Sequence, residues 1–381
     1  MNLLPASLLL PQRTVAAEGA VLRLTNLAAE FGSNGVLVHG CSLQRSELLD
    51  AILNEPPFGM RVRAWRHAGN EPTVDAVDAL RADLKADRPD WVAAVGGGSV
   101  IDLTKAAAGL LDAPENTAFY QMHPASIPPA ALPLIAAPTT AGTGAEATVV
   151  SVLTDPSRTV KQSIRHPSYM PRLVILDPCL LRCCPSDTRA AAGFDAFVQA
   201  FESYTSLHAT PLTRALSELA LTRIARALLP FYQGNSDLAG EMLEASYLAG
   251  VALSHARLGI IHGLAHPLGV RFNVAHGLVC ACCLPACLAF NRKAVARDLN
   301  TLKSQHGLDV EAQIATWMTA MELKNPFAGQ QVTDRDAFIR ETLASGSTAA
   351  NPRPVTADDV SSLLDTILEK PTPIPEYAAA R

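Results

Sequence analysis

Aromatic and charged residues are scarce in this chain, and their scarcity excludes whole classes of function. Only 5% of the 381 residues are aromatic and 18% are charged, whereas 49% are hydrophobic. The 31 lysine and arginine residues are outnumbered by 36 acidic ones and are scattered, so no basic stripe offers a surface for phosphate backbones. We expect no nucleic-acid partner.

Long uninterrupted apolar runs are also missing. No stretch approaches the roughly 18 uncharged apolar residues that a membrane-spanning helix requires. The start, MNLLPASLLLPQRT, lacks a basic region and has two prolines among its leucines, so it is not typical of a secretory signal. We expect a cytoplasmic protein with no membrane partner, whose apolar surplus fills a large core or an oligomer interface.

The eight cysteines do not form a pattern typical of disulfides. Adjacent residues such as Cys183 and Cys184 are poor disulfide partners, and a cytoplasmic chain keeps its thiols reduced. The cluster CACCLPAC, residues 280–287, lies in an apolar helix-like run, where cysteine serves as a small hydrophobic residue. We predict core packing for this cluster rather than a thiolate site.

What is present is an alternation of strand-like and helix-like segments in the first half. The runs GVLVHG, WVAAVGGGS, LPLIAAPTT and RLVILDP are separated by helical patterns, which is typical of βαβ units and a parallel sheet. From about Pro185 long helical stretches take over. We predict an α/β domain over residues 1–185, an all-helical domain over 186–381 and a proline-rich tail on the surface.

Two glycine-containing loops follow predicted strands. The first opens a helix, so its backbone can approach a pyrophosphate at the helix N-terminus, although a well-capped turn with Ser99 and Asp102 as a capping box fits equally well. The second offers threonine hydroxyls, and the two loops together favour a nucleotide at one crevice of the sheet. The candidate residues are Gly96, Gly97, Gly98, Ser99, Asp102, Thr139, Thr140, Thr143 and Thr148.

Three of the ten histidines fall within HGLAHPLGVRFNVAH. On a helix His262 and His266 share a face, whereas His276 must be brought back by the path of the chain. With Asp195, His262 and His276 compose a two-histidine, one-carboxylate set, which is associated with Fe(II) and also usable by Zn(II). Taken singly, Asp195 also fits a helix N-cap and each histidine fits a core side chain.

Five motifs occur in the order found in the iron-containing (group III) alcohol dehydrogenases, and the chain resembles that family up to about residue 290. The resemblance implies a Rossmann-like nucleotide-binding domain and an all-α metal-binding domain, the dehydroquinate synthase-like fold. It also implies NAD(P)-dependent interconversion of an alcohol with its aldehyde or ketone. The motifs are GGGSVIDLTK, APTTAGTGAEAT, RLVILDP, GFDAFVQAFESYTS and HGLAHPLGVRFNVAHG.

The resemblance also assigns site residues. It implies metal ligands at Asp195, Gln199, His262 and His276, and a catalytic histidine that is not a ligand at His266. Gln199 departs from the family, because typical members carry histidine there and an amide oxygen is a weaker ligand. Related glycerol dehydrogenases bind zinc through one aspartate and two histidines, so both Fe2+ and Zn2+ stay open. The metal is expected to act as a Lewis acid on the substrate oxygen.

The nucleotide preference depends on the loop GVLVHGCSLQR. Sites that prefer NAD place a carboxylate against the adenosine ribose, but this loop has Gly40 there, with Ser42 and Arg45 close by to bind a 2′-phosphate. We expect NADP, with NAD as the alternative. By resemblance, Lys161 lies close to the nicotinamide.

The substrate is expected to be a small alcohol or aldehyde. Phe197, Val198, His266 and Phe272 are candidates for the pocket lining, and Arg165 or Arg271 for the anchor of a carboxylate or phosphonate. We expect a homodimer formed through an edge of the N-terminal domain. Three alternatives stay open, namely a metal-independent reductase of the maleylacetate reductase type, a non-catalytic nucleotide-binding member with a decayed metal site, and a dehydroquinate synthase, whose basic phosphate cluster is missing from residues 195–280.

Overall fold

A computed structural model describes residues 2–54, 56–69 and 71–369 of the chain. Within these ranges the side chain of Arg45 is outside the description. The proline-rich tail that the sequence places on the surface also falls outside it from residue 370 onward.

A six-stranded sheet in the order β3-β2-β4-β5-β8-β1 forms the centre of the first half, and all its pairings are parallel. This confirms the predicted parallel-sheet α/β fold. β6 and β7 form a separate antiparallel hairpin that the sequence patterns did not reveal. The strands are β1 (Arg13–Ala16), β2 (Asn34–His39), β3 (Arg61–Arg66), β4 (Trp91–Gly96), β5 (Leu134–Pro138), β6 (Val150–Asp155), β7 (Val160–Arg165) and β8 (Leu173–Leu176).

Helices surround the sheet and then build the second half alone. Those of the first half are α1 (Leu24–Ala28), α2 (Cys41–Arg45), α3 (Leu48–Leu53), α4 (Val74–Asp87), α5 (Gly98–Gly109) and α6 (Thr117–Met122). Those of the second half are α7 (Ser186–Thr205), α8 (Pro211–Tyr232), α9 (Ala239–Ala256), α10 (Ile260–Phe272), α11 (His276–Asn291), α12 (Ala296–His306), α13 (Val310–Ala320), α14 (Arg335–Ala344) and α15 (Ala357–Leu368). The division of the chain at residue 185 stays a prediction.

Both faces of the sheet are buried, as expected for parallel strands covered on each side. Along β2, Val36 and Val38 pack into one core with α4 and α5, whereas Leu37 between them belongs to a second core that is shared with α7 to α11. This alternation follows from the two-residue period of a strand. The helical half therefore packs directly against one face of the sheet.

No single helix of the described ranges is both long and apolar enough to cross a membrane. Two pairs of consecutive segments, 236–256 with 260–272 and 276–291 with 296–306, reach that length and hydropathy only together, and they are bent by 104° and 110°.

Candidate metal and nucleotide site

The sheet has its topological switch point between β2 and β4. After β2 the chain adds β3 on one side and then returns to place β4 on the other. Loops that leave the carboxyl ends of such neighbouring strands diverge and open a ligand crevice. The predicted residues Gly40 and Gly96 lie at these two strand ends, and a Cβ at Gly40 would stand 3.3 Å from the Val100 side chain in the first turn of α5.

The two predicted glycine loops touch each other. A Cβ at Gly98 would lie 2.6 Å from Cγ2 of Thr143, so only glycine allows this approach, whereas a Cβ at Gly97 would make an ordinary contact with Thr140 at 3.4 Å. Gly97 is the N-cap of α5 and makes no side-chain cap hydrogen bond to any described residue. The first amides of α5 are therefore free of a protein cap, as an anion site at a helix N-terminus requires.

The predicted capping box of Ser99 and Asp102 is wrong. Because α5 begins at Gly98, Asp102 lies beyond the third helical position and turns away from the helix end. One oxygen of its carboxylate accepts a hydrogen bond from the Val152 amide at 3.1 Å, and burial raises its pKa to about 6. Asp102 thus fastens β6 to α5 rather than capping the helix.

Lys105, which the sequence analysis missed, connects α5 to the second loop. Its buried Nζ donates to the carbonyls of Ala145, Thr148 and Val150 at 2.7–2.8 Å and to the Thr148 hydroxyl at 3.1 Å. Burial lowers the pKa of Lys105 to about 8 and raises that of Glu146 to about 7. The hydroxyl of Thr148, predicted to contact the cofactor, is engaged inside the protein.

Four side chains from α7, α10 and α11 converge on one point. One ligand atom each from Asp195, His262, His276 and Cys280 lies within 4.8 Å of all the others. Asp195 Oδ1 is 3.4 Å from His262 Nε2 and 3.8 Å from His276 Nε2. The structure therefore brings together three of the four predicted metal ligands, and it adds a thiol that the core-packing prediction did not anticipate.

Gly277 allows α11 to approach α7 closely enough for this convergence. A Cβ at this position would lie 2.1 Å from the Ala191 carbonyl oxygen. The neighbouring His276 opens α11, and Asp195 lies one turn beyond Ala191 on α7. The contact of the two backbones therefore places the imidazole and the carboxylate face to face.

Glu202 contacts the Nδ1 side of the His262 ring. Its Oε2 lies 2.7 Å from His262 Nδ1, and its Oε1 accepts the Ile261 amide at 2.7 Å. A carboxylate at Nδ1 fixes the ring and leaves Nε2 free to face a metal, as in many histidine metal centres. The sequence analysis missed this residue, although its spacing of seven from Asp195 places both on one face of α7.

The charges of the pocket are arranged to hold a cation. Burial opposes a charge on His262, but Cys280, Asp195 and Glu202 together raise its pKa well above its usual value. Burial and the nearby Lys161 instead lower the pKa of His276. Negatively charged or polarisable groups therefore surround His262 at the point where the ligand atoms converge.

Gln199 lies one turn after Asp195 on α7, is 4% exposed, and its Oε1 has no hydrogen-bond partner among the described residues. An unpaired buried oxygen is costly unless a ligand satisfies it. A carboxylate, two imidazoles, a thiol and this amide oxygen are a set that suits a divalent transition metal. The residues present therefore fit Fe2+ or Zn2+.

His266 and Lys161 lie beside this group. The His266 ring centroid is 5.2 Å from that of His276, and burial, with Lys161 second, lowers the pKa of His266 to about 3. Lys161 Nζ lies 2.7 Å from Glu71 Oε2. The positive charge of Lys161 also acts to lower the pKa of Asp102. The charge of Lys161 therefore affects the pKa of Asp102 on α5 and the pKa values of His266 and His276.

Three of the expected substrate contacts fall elsewhere. Phe197 is fully buried against Trp317, with ring centroids 4.9 Å apart, and Val198 is fully buried as well. Arg271 is held by Asp334 and Glu341, so it is not free to anchor a substrate anion. Core packing and ion pairing therefore remove these side chains from the pocket.

The remaining candidates stay near the surface. Arg165 is exposed on β7, and Phe272 is partly buried against Phe327. At the ribose end of the crevice, Ser42 is partly buried. Arg66, not considered from the sequence, places Nη2 3.6 Å from Cys41 Sγ at the end of β3.

A crevice at the carboxyl ends of parallel strands, packed against helices that bring together a carboxylate and imidazoles, is typical of a nucleotide-binding, metal-dependent enzyme. The model of the family "Iron-containing alcohol dehydrogenase" matches residues 11–178, and that of the C-terminal part of the same family matches residues 189–368. These two matches lie on the sheet-containing and the helical parts of the chain, respectively.

Individual proteins of similar sequence are also named as alcohol dehydrogenases. The probable alcohol dehydrogenase EutG of Salmonella typhimurium is 35% identical over 80% of each chain, and that of Escherichia coli is 40% identical over 65% of this chain but 64% of its own length. The NADPH-dependent butanol dehydrogenase of Clostridium saccharobutylicum is 27% identical over 94% of this chain and 97% of its own.

A solved structure of an iron-containing alcohol dehydrogenase is similar in fold. The iron-containing alcohol dehydrogenase of Thermococcus thioreducens superposes with a TM-score of 0.84 at 26% identity, covering 95% of this chain and 99% of that one.

The chain belongs to the iron-containing alcohol dehydrogenase family, whose members use NAD(P) and iron. The predicted family, the fold class and an NAD(P)-dependent oxidoreductase activity on CH–OH groups are confirmed. Small alcohols and aldehydes are the substrates that this family implies.

Proposed function

We propose that this alcohol dehydrogenase works as an NADPH-linked reductase of small aldehydes or ketones, with its divalent metal held by Asp195, His262 and His276. The convergence of these three side chains carries the proposal. It also weighs against a decayed metal site, because drift would not be expected to preserve three ligand atoms around one point. Gln199 lies one turn after Asp195 on α7, and its buried Oε1 has no hydrogen-bond partner among the described residues.

When bound, the metal supplies Lewis acidity toward the substrate oxygen, and the nicotinamide donates or accepts the hydride. The side chains of the protein position the metal ligands and transfer the proton. Glu202 fixes the His262 ring, and Asp195 supplies the negative charge opposite it. His266 stays neutral because burial lowers its pKa to about 3. A neutral imidazole has one donor and one acceptor nitrogen, so it can pass a proton between the substrate hydroxyl and solvent.

The nucleotide crevice and the metal group adjoin each other. The second glycine loop contacts α7 at Ala192, where a Cβ on Gly142 would lie 2.8 Å from the alanine Cβ, and Asp195 follows three residues later. Lys161 lies between the two parts, since its charge acts on Asp102 as well as on His266. A nicotinamide that reaches from the crevice would therefore face the histidines.

Metal analysis of anaerobically purified protein tests the proposal. We expect near-stoichiometric iron or zinc in the wild type, its loss in His276→Ala, and its retention in His306→Ala, a surface histidine paired with Glu218. The loaded wild type should then reduce small aldehydes with NADPH. Metal-free protein that gains no activity with Fe(II) or Zn(II) would contradict the proposal and favour metal-independent reduction.

The NADPH preference is supported by Gly40, which brings no carboxylate to the ribose site, and by the nearby Ser42 and Arg66. The name of the clostridial relative also states NADPH dependence. We expect Arg66→Ala to lower kcat/KM for NADPH about tenfold and to leave NADH unchanged, because only NADPH carries the 2′-phosphate. Arg61→Ala, at the opposite end of β3, is the control. Equal losses for both cofactors would show that Arg66 does not bind the phosphate.

We further propose that the protein is a cytoplasmic homodimer in which residues 1–185 form the nucleotide-binding domain and residues 186–381 the metal-binding domain. Eight free thiols support a reducing compartment. The first α-helix of the all-helical part begins at Ser186 and thus supports the boundary. The dimer is supported by the exposed leucines that precede the edge strand β1.

A further inference from the structure

Cys280 differs from the other thiols of its helix. Its Sγ lies 3.7 Å from His276 Nε2 and 3.9 Å from both His262 Nε2 and Asp195 Oδ1. Cys283 and Cys287 on the same helix are fully buried in the hydrophobic core, and Cys282 is partly exposed. Of the four cysteines of α11, Cys280 is the one that the structure groups with the carboxylate and the imidazoles.

The spacing of these atoms matches a tetrahedral metal centre. With metal–nitrogen and metal–oxygen distances of about 2.0–2.1 Å and a metal–sulfur distance of about 2.3 Å, neighbouring ligand atoms of a tetrahedron stand about 3.3–3.6 Å apart. The five separations among the four side chains given above are 3.4–3.9 Å. The sixth separation, between the ligand nitrogens of His262 and His276, is no more than 4.8 Å. Five of the six separations therefore lie within a few tenths of an ångström of those in a tetrahedral centre.

We propose that Cys280 is a protein ligand of the metal, as a thiolate, in addition to Asp195, His262 and His276. The proposal rests on the proposed function, since it concerns the same metal. As the metal–sulfur bond forms, the thiol proton leaves to solvent. The charges then balance, because one carboxylate and one thiolate neutralise a divalent ion within a pocket whose members are mostly buried.

A thiolate in this position changes which ion the site prefers. Sulfur ligands favour softer ions such as zinc, whereas carboxylates and amides favour harder ions such as manganese. With Cys280 bound, we expect a site that prefers Zn2+. Replacing Cys280 by serine should reduce the preference for Zn2+ over Mn2+ about tenfold or more.

X-ray absorption spectroscopy of the zinc-loaded full chain tests this assignment independently of activity. We expect a sulfur at about 2.3 Å from the metal in the wild type. The sulfur signal should disappear in Cys280→Ser and persist in Cys282→Ser, the matched control from the same helix. Should the serine variant fail to fold, Cys280→Asp replaces it, because it keeps an anionic ligand without sulfur.

The outcomes separate this assignment from the proposed function. A loaded wild type without a sulfur ligand, or a sulfur signal that survives in the folded Cys280 variant, overturns the role of Cys280 and leaves the three-ligand metal site standing. A wild type that binds no metal overturns both. The cobalt-substituted enzyme gives a second readout, because a thiolate ligand produces an intense charge-transfer band in the near ultraviolet that should vanish with Cys280.

Discussion

At the residue scale, the Glu202 carboxylate decides which nitrogen of His262 carries the proton. Because Nδ1 lies 2.7 Å from Glu202 Oε2, a singly protonated ring keeps its proton on Nδ1, and Nε2 is then left to bind a metal. The same carboxylate accepts backbone amides at the start of α10, so it positions the helix together with the ring. A carboxylate in this role raises the basicity of the imidazole as a ligand.

Glu202→Gln should therefore weaken metal binding about 10- to 100-fold while the protein still folds. The amide keeps the size of the side chain, but it removes the negative charge behind His262. Competition with a chelator measures the affinity. Glu244→Gln, a half-exposed carboxylate paired with Arg223, serves as the control. An unchanged affinity in Glu202→Gln would show that Glu202 only positions the helix.

The sequence alone could identify Asp195, His262 and His276 as a group, but not Glu202 or Cys280. Cys280 lies four residues after His276, which places both on one face of α11. Such pairs are common in any apolar helix, and a cysteine in one is usually core packing. Which face meets another helix depends on tertiary packing, and a single sequence does not reveal that packing.

At the element scale, the close approach of α7 and α11 brings the proposed metal ligands of these helices together. Gly277→Ala would place a methyl group 2.1 Å from the Ala191 carbonyl oxygen, so the two helices must separate. We expect a loss of about 1–3 kcal/mol in the free energy of unfolding, as for other overpacked positions, together with weaker metal binding.

Urea unfolding and metal titration measure both effects. Gly346→Ala is the matched control, because a Cβ there meets none of the described atoms within 4 Å. If Gly277→Ala binds metal as the wild type does, the approach of α7 and α11 does not set the ligand geometry.

The junction of α5 with the second glycine loop carries a pH dependence. The pKa of Glu146 is about 7 in the folded chain against an ordinary value of 4.5, mainly because of burial. Between these values the folded state binds more protons than the unfolded state, so stability falls as the pH rises. Glu146→Gln cannot ionise, and its stability should fall less over this range, by on the order of 2 kcal/mol.

Urea midpoints at about pH 4.5 and pH 7.5 check this expectation. Glu244→Gln, a half-exposed position on α9, should leave the wild-type slope unchanged. If Glu146→Gln shows the same loss between the two pH values as the wild type, Glu146 is not the group that titrates.

Only some of the strands can be recognised from the sequence. β2, β4, β5 and β8 are almost entirely buried, so their continuous apolar runs were recognised. β3 carries three arginines along an exposed edge, and the hairpin of β6 and β7 alternates polar and apolar residues beside a helix. Their stability comes from the neighbours that they pack against rather than from their own composition.

At the scale of the whole molecule, the two edges of the sheet differ. β3 ends one side with arginines that would repel a second copy, whereas β1 ends the other side and follows a segment with exposed Leu3, Leu4, Leu8 and Leu10. Charged edges discourage pairing between sheets, and exposed apolar surface favours it. The β1 side is therefore the edge that a dimer would use.

Sedimentation of the wild type at micromolar concentration should show a dimer, and the double variant L8K/L10K should shift it toward monomer. Both leucines are more than 40% exposed, so the lysines cost the folded chain little. Leu219→Lys on α8, also more than 40% exposed, is the control. A wild type that sediments as a monomer would contradict the dimer, and a variant that stays dimeric would place the interface elsewhere.

The placement of all the proposed metal ligands on α7, α10 and α11 has a thermodynamic consequence. An ion that binds only the folded state adds its binding free energy to the part of the molecule that must stay intact for it to bind. Because no described strand supplies one of these ligand atoms, metal binding should stabilise the helices rather than the sheet. Chelation should therefore accelerate amide hydrogen exchange in α7, α10 and α11 first, while the central strands β4 and β5 keep their protection.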